Sequence, residues 1–159
     1  MSHLSEIIYG GMDGIITTVV LISASLGSGI SNRFIPIIGS ASLIGDGFSM
    51  GVSRYNSLIE SKDSSCKTGK TNAIISGMYT FFSFIFLGVI PLLPFLFIKQ
   101  QRESIRYFIF LALFSFGLLG YIKGKKTNTV FSNATKTIIL GTVAVALSYY
   151  ISIKLKEFL

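Results

Sequence analysis

Five long apolar runs separated by short polar links leave this chain few ways to fold. They lie at about 7–29, 34–55, 71–98, 105–122 and 137–153. A helix needs about 20 mostly apolar residues to cross a bilayer. Backbone polar groups in lipid must be satisfied internally, which leaves helices or closed barrels. Continuous runs of this length point to helices. The expected architecture is therefore an all-α integral membrane protein, one domain over residues 1–159 with five transmembrane helices. Composition agrees, with 13% of residues charged and a mean hydropathy of +0.67. That is about half the charge of an ordinary soluble domain.

The net charge is +7, which in a soluble chain would raise nucleic-acid binding. Here the basic residues sit in the links, with no contiguous basic face or stacking platform, so that class is set aside. Loop charges instead orient helices, with Lys and Arg favouring the cytosolic side. Placing the N-terminus in the cytosol gathers Arg54, Lys62, Lys67, Lys70, Lys123, Lys125, Lys126 and Lys136 on that side. Arg33, Lys99, Arg102, Arg106, Lys154 and Lys156 fall on the other, a slight bias for a cytosolic N-terminus. The first run is too long, and its flank too poor in basic residues, for a cleavable signal. Cys66 is the single cysteine, in a polar link, and reads as a free thiol.

The runs differ in character. The second carries Ser40, Ser42, Asp46, Ser49 and Ser53, and is expected to face protein or a water-filled path rather than lipid. The third holds Phe81, Phe82, Phe84 and Phe86, read as lipid-facing and core packing. Pro91 and Pro94 are expected to kink or break it. The fourth is almost purely apolar and expected at the periphery. Gly10/Gly14 and Ser25/Gly29 in the first run, and Gly47/Gly51 in the second, have the small-xxx-small spacing of close helix contacts. That spacing suggests a two-fold dimer with first helices at its centre.

Asp13 and Asp46 are the acids well inside the spans. An intramembrane carboxylate costs roughly 2.5–3.5 kcal/mol on insertion scales and usually faces a partner, a cavity or an ion path. For Asp13 the alternative is a position near the helix end, reaching the interface or capping a turn. Ser42, Asp46 and Met50 are spaced by four, so hydroxyl, carboxylate and thioether share one helix face. Met50 alone would read as packing. In line with two acids it suits a first-row divalent ion better than magnesium or calcium. His3 is the single histidine and lies outside the spans, there is no phosphate-binding Gly-Lys-Ser/Thr loop, and no serine has a histidine base beside it. An enzyme is not expected, nor is a bound cofactor.

Tyr9-Gly-Gly-Met-Asp13-Gly-Ile-Ile-Thr-Thr resembles the first helix of the vacuolar iron transporter family. Gly45-Asp46-Gly-Phe-Ser-Met50-Gly51 with Tyr55 is similar to its second-helix signature. Gly88-Val-Ile-Pro91-Leu-Leu-Pro94 is similar to the end of its third, and Gly120-Tyr121-Ile-Lys-Gly124 and Leu140-Gly141 through Tyr149 resemble its last two. The resemblance runs in order over nearly the whole chain. It implies a five-helix homodimer with the ion path at the dimer interface. It implies proton-coupled export of ferrous iron or manganese from the cytosol into a vacuole-like compartment, with an endomembrane location. It carries Asp13 and Met50 over as ligands. Plant-type members also use a second-helix glutamate where this chain has Ser42; Asp46, one turn along, is the candidate replacement. Those members insert a Glu-rich cytosolic helical domain between helices two and three, whereas Asn56–Lys70 here offers Glu60 and Asp63, as in a short form without that domain. The metal set expected from the residues and the resemblance together is Asp13, Ser42, Asp46 and Met50. Both departures keep open a second reading, a membrane interaction protein that retains the fold without transporting.

Overall fold

The computed structural model describes residues 3–60, 67–127 and 130–158. Among them are five helices: α1 (Leu4–Ser28), α2 (Phe34–Glu60), α3 (Lys67–Phe97), α4 (Gln101–Thr127) and α5 (Val130–Phe158). All five are long and apolar enough to cross a membrane. Each outer boundary of α3, α4 and α5 lies beyond its apolar run or close to it. Polar flanks such as Gln101–Glu103 and Lys123–Thr127 simply continue the helical hydrogen bonding. A 27-residue helix is about 40 Å long at 1.5 Å per residue. It therefore passes the roughly 30 Å hydrocarbon layer and its ends reach the headgroups. Cys66 lies outside the described residues, as do Lys62 and Asp63.

The α1–α2 turn is set by Gly29, whose φ of 79° is the left-handed conformation that glycine adopts without strain. Gly29 N–H donates to the Leu26 carbonyl at 3.2 Å and Ile30 N–H to that of Ser25 at 2.9 Å. This is a Schellman closure of α1. It reverses the chain, so α2 runs antiparallel to α1. Side-chain contacts show α3 and α5 running parallel to α1.

α1 is the hub and touches all four other helices. Its glycines meet α3. A Cβ on Gly14 would collide with the backbone carbonyl of Phe84, and one on Gly88 would lie 2.9 Å from the Gly14 carbonyl oxygen. α2 meets α3 through Ile35, Gly39, Leu43, Gly47 and Gly51, a buried stripe at every fourth residue. At Gly51 a Cβ would lie 3.0 Å from the Gly77 carbonyl oxygen. The small-residue pairs that suggested contact between two copies are thus used within one chain, Gly10/Gly14 and Gly47/Gly51 both against α3. Gly27 approaches α5, with the Tyr149 carbonyl oxygen 2.8 Å from an ideal Cβ. The spacing reports a close helix contact and cannot say whose helix supplies the other side.

Ile15, Val19, Ile22, Ile35, Leu43, Phe84 and Leu92 form the core, extended toward α4 by Phe95 and Phe108, whose rings meet edge to face at 5.8 Å. Of the third-run aromatics, Phe84 is buried while Phe82 and Phe86 face outward. α3 continues unbroken through Pro91 and Pro94 to Phe97. Each proline lacks the N–H that would bond the carbonyl four residues back, a loss that membrane helices tolerate when neighbouring groups satisfy the freed carbonyl. α4 is less peripheral than its apolar run implied, burying Phe108, Ala112, Ser115, Phe116 and Leu119. The outermost helix is α5, although Ser148 ties it to α1 by donating to the Val20 carbonyl at 2.9 Å. Some buried serines bond within their own helices, as Ser23 does to the Val19 carbonyl and Ser115 to that of Leu111, both at 2.7 Å.

The glycines divide into two kinds. Gly14→Ala puts a methyl group against backbone that cannot step aside and is expected to destabilise the bundle by about 1–3 kcal/mol. Gly45 has open space around it, so Gly45→Ala is expected to stabilise by about 0.5–1 kcal/mol through helix propensity. Unfolding of the detergent-purified variants should show these opposite signs.

Candidate functional site

α1 is buried nearly all round, yet Tyr9 and Asp13 are exposed and Thr17 is half-buried. These three are spaced by four and form one stripe on the side that α3 and α5 leave uncovered. On α2 the buried stripe faces α3, so Asp46, Ser49 and Ser53 face the other way and are exposed. The two polar stripes meet along an open groove of about 690 Å³. Tyr9, Asp13 and Thr17 line it from α1. Asp46, Ser49, Met50, Ser53, Arg54 and Ser57 line it from α2.

Three of the four residues expected to hold metal therefore share one groove. Asp13 and Asp46 bring carboxylates from neighbouring helices to it. Met50 does two things, lining the groove and packing half-buried against the core. Ser42 stands apart from the groove lining. Its Oγ donates to Asp46 Oδ2 at 2.6 Å, so it orients the carboxylate and leaves the other oxygen open. Asp13 has no side-chain hydrogen bond or ion pair among the described residues. Nor do three His, Cys, Asp or Glu side chains come together there. One chain offers two carboxylates and a thioether, too few to enclose a first-row ion, which takes four to six ligands by ordinary coordination chemistry.

Tyr9, Thr17, Ser49, Ser53, Arg54 and Ser57 were not among the expected site residues. Applying to α1 the four-residue spacing used on α2 finds Tyr9 and Thr17 at once. Arg54 had counted as a loop charge. It lies instead in α2, where Nη2 donates to Glu6 Oε1 at 2.8 Å. Nothing in the sequence pairs two residues 48 positions apart.

Two overlapping matches to the VIT family cover residues 4–70 and 60–153. The chain belongs to the VIT family. Vacuolar iron transporter 1 of Oryza sativa subsp. japonica is 33% identical over 84 residues, 52% of this chain and 33% of the rice protein. The vacuolar iron transporter of Plasmodium berghei is 42% identical over 55 residues, 35% of this chain and 20% of that protein. Vacuolar iron transporter 1 of Eucalyptus grandis is 29% identical over 84 residues, 52% of this chain and 34% of its own length. The chain thus spans about a third or less of the curated relatives it matches. Six residues, 61–66, separate α2 from α3, leaving no room for an inserted helical domain in this VIT family chain.

If the groove holds water, cysteines placed at Tyr9, Asp13, Thr17 and Ser49 in a Cys66→Ser background should react quickly with a charged, water-soluble thiol reagent. Cysteines at Phe48 and Val52, exposed on the opposite side of α2, should react slowly. Equal rates on both faces would mean that the groove is not an aqueous path.

Proposed function

We propose that this protein carries divalent first-row metal ions, ferrous iron or manganese, across an endomembrane. The observation that carries this reading is the pair Asp13 and Asp46 on one open groove between α1 and α2. A face of carboxylates, serines and a tyrosine is costly against lipid. A cation path gives it a reason to exist. The names borne by the rice and Plasmodium relatives support iron as cargo.

The working unit is a homodimer. A second copy placed over the polar face of α1 and α2 would cover it, and would raise the donors from two carboxylates and one thioether to four and two. Carboxylates must lose their protons to bind metal, so protons compete for the same oxygens. That competition suffices to couple metal movement to proton movement, with export from the cytosol into a vacuole-like compartment as the direction. Oxygen donors accept manganese and ferrous iron, and the Met50 sulfur disfavours magnesium and calcium. The names of its relatives, vacuolar iron transporters, support a carrier rather than an enzyme.

A second reading rests on Ser42, which stands where plant-type members have an acid and whose hydroxyl occupies one oxygen of Asp46. Under it the protein keeps the fold as an interaction partner and moves no ions. Metal uptake by proteoliposomes containing the purified protein separates the two. For a transporter, Asp13→Asn should abolish uptake of iron and manganese while leaving a well-folded dimer. Asp46→Asn should weaken it strongly. Met50→Leu, which conserves volume, should relax discrimination against magnesium. Ser42→Glu should tighten metal binding. Uptake by Asp13→Asn equal to that of the parent would remove the chief support for the reading.

The dimer has its own check. Single cysteines along the outward stripe of α1, at Tyr9, Asp13 and Thr17, should cross-link like to like in membranes. Failure at every position would exclude the proposed interface.

A further inference from the structure

The metal site makes no use of an ion pair that joins α1 to α2. Arg54 Nη2 and Glu6 Oε1 are 2.8 Å apart, with the Glu6 side chain 10% exposed and that of Arg54 35%. Arg54 lines the groove and Glu6 does not. The guanidinium therefore has the ion path on one side and its counter-charge behind it. The Glu6 turn of α1 also lies close to α3, where Ser83 Oγ is 3.4 Å from the Glu6 carbonyl and 3.0 Å from the Thr80 carbonyl of its own helix.

The register places this pair relative to the acids. Arg54 is eight residues from Asp46 on α2, about 12 Å along the helix. Glu6 is seven residues from Asp13 on α1, about 10 Å. Because the helices are antiparallel, both steps lead toward the same end of the bundle, the one holding the α1 N-terminus. The groove thus has two charge layers. Two exposed carboxylates lie near the mid-length of α1 and α2, and a compensated arginine lies one layer nearer that mouth, with Ser53 and Ser57 beside it.

An arginine there is an obstacle unless it is compensated. A divalent ion feels twice the repulsion from a fixed positive charge that a monovalent ion would. Arginine cannot lose that charge by deprotonation in a protein; only a neighbouring anion can cancel it. Conversely, a free carboxylate at the mouth would be a hard oxygen ligand that holds a divalent ion there.

We propose that the Glu6–Arg54 pair is a charge filter at the α1 N-terminal mouth of the groove. Glu6 cancels Arg54 so that the cation passes, and Arg54 occupies Glu6 so that the cation is not retained. The inference rests on the metal-transport reading above. It differs from a simple fastening of α1 to α2 in its sign. Loss of a fastener harms transport alike whichever partner is removed. Loss of a filter moves apparent affinity in opposite directions for the two partners.

Mn2+ uptake by proteoliposomes containing the full chain, at low and high ionic strength, tests it. Glu6→Gln bares Arg54 and should raise the apparent KM about tenfold at low ionic strength, with added salt narrowing the gap by screening. Arg54→Gln bares Glu6 and should lower the apparent KM roughly threefold while slowing the maximal rate, because a mouth ligand holds the ion. Glu6→Gln combined with Arg54→Gln should return KM to near that of the parent. A KM shifted in the same direction by both single variants, or by neither while the parent transports, overturns the filter and leaves the transport reading standing. A parent protein without uptake overturns the transport reading and the filter with it. Should Glu6→Gln not fold, the comparison of Arg54→Gln with the double variant still decides. If KM is the same for both, the freed carboxylate does nothing and the filter is wrong.

Discussion

The close approach of α1 to α3 is the constraint on which the rest of the bundle depends. At Gly14 there is no room for even a methyl group beside the Phe84 backbone, and Gly88 sits against the Gly14 carbonyl in return. Contact of this kind draws its strength from dispersion between closely fitted backbones, since apolar side chains gain little by leaving lipid for protein. It also fixes rotation. With Gly10 and Gly14 turned to α3, and Gly27 and Val20 turned to α5, the remaining strip of α1 is the one bearing Tyr9, Asp13 and Thr17. A turn of the helix by one residue would bury the carboxylate in the core.

α2 repeats the logic from the other side. Its buried positions recur every fourth residue from Ile35 to Gly51, so one narrow edge is packed and the broad polar face is free. Ser40, Asp46, Ser49 and Ser53 are all exposed in the single chain. A helix with that face toward hydrocarbon would be poorly accommodated. The polar groove and the proposed second copy thus go back to one imbalance, in which α3 covers the apolar edges of α1 and α2 while no described residue covers the polar groove between them. The part-buried ion pair between Glu6 and Arg54 fits the same arrangement. It is held at the mouth of the groove, where each charge has a partner that neither lipid nor the core can supply.

The sequence by itself determined a great deal. Length and continuity of the apolar runs dictate five membrane helices, because lipid offers backbone groups no alternative partner. Two acids within those runs dictate a polar feature in the membrane, because a carboxylate there is too costly to be incidental. The four-residue spacing dictates that Ser42, Asp46 and Met50 share a face. Tertiary structure decided what periodicity cannot carry. Gly10/Gly14 and Gly47/Gly51 announced close contacts, but only packing showed that α3 lies on the other side of both, since spacing is a property of one helix and contact a property of two. The same reason separates Ser42 from the groove and puts Arg54 into it. What distinguishes them is that α1 crosses beside one end with Glu6 turned toward Arg54, a relation between residues 48 positions apart that exists only once the Gly29 turn has folded α2 back against α1.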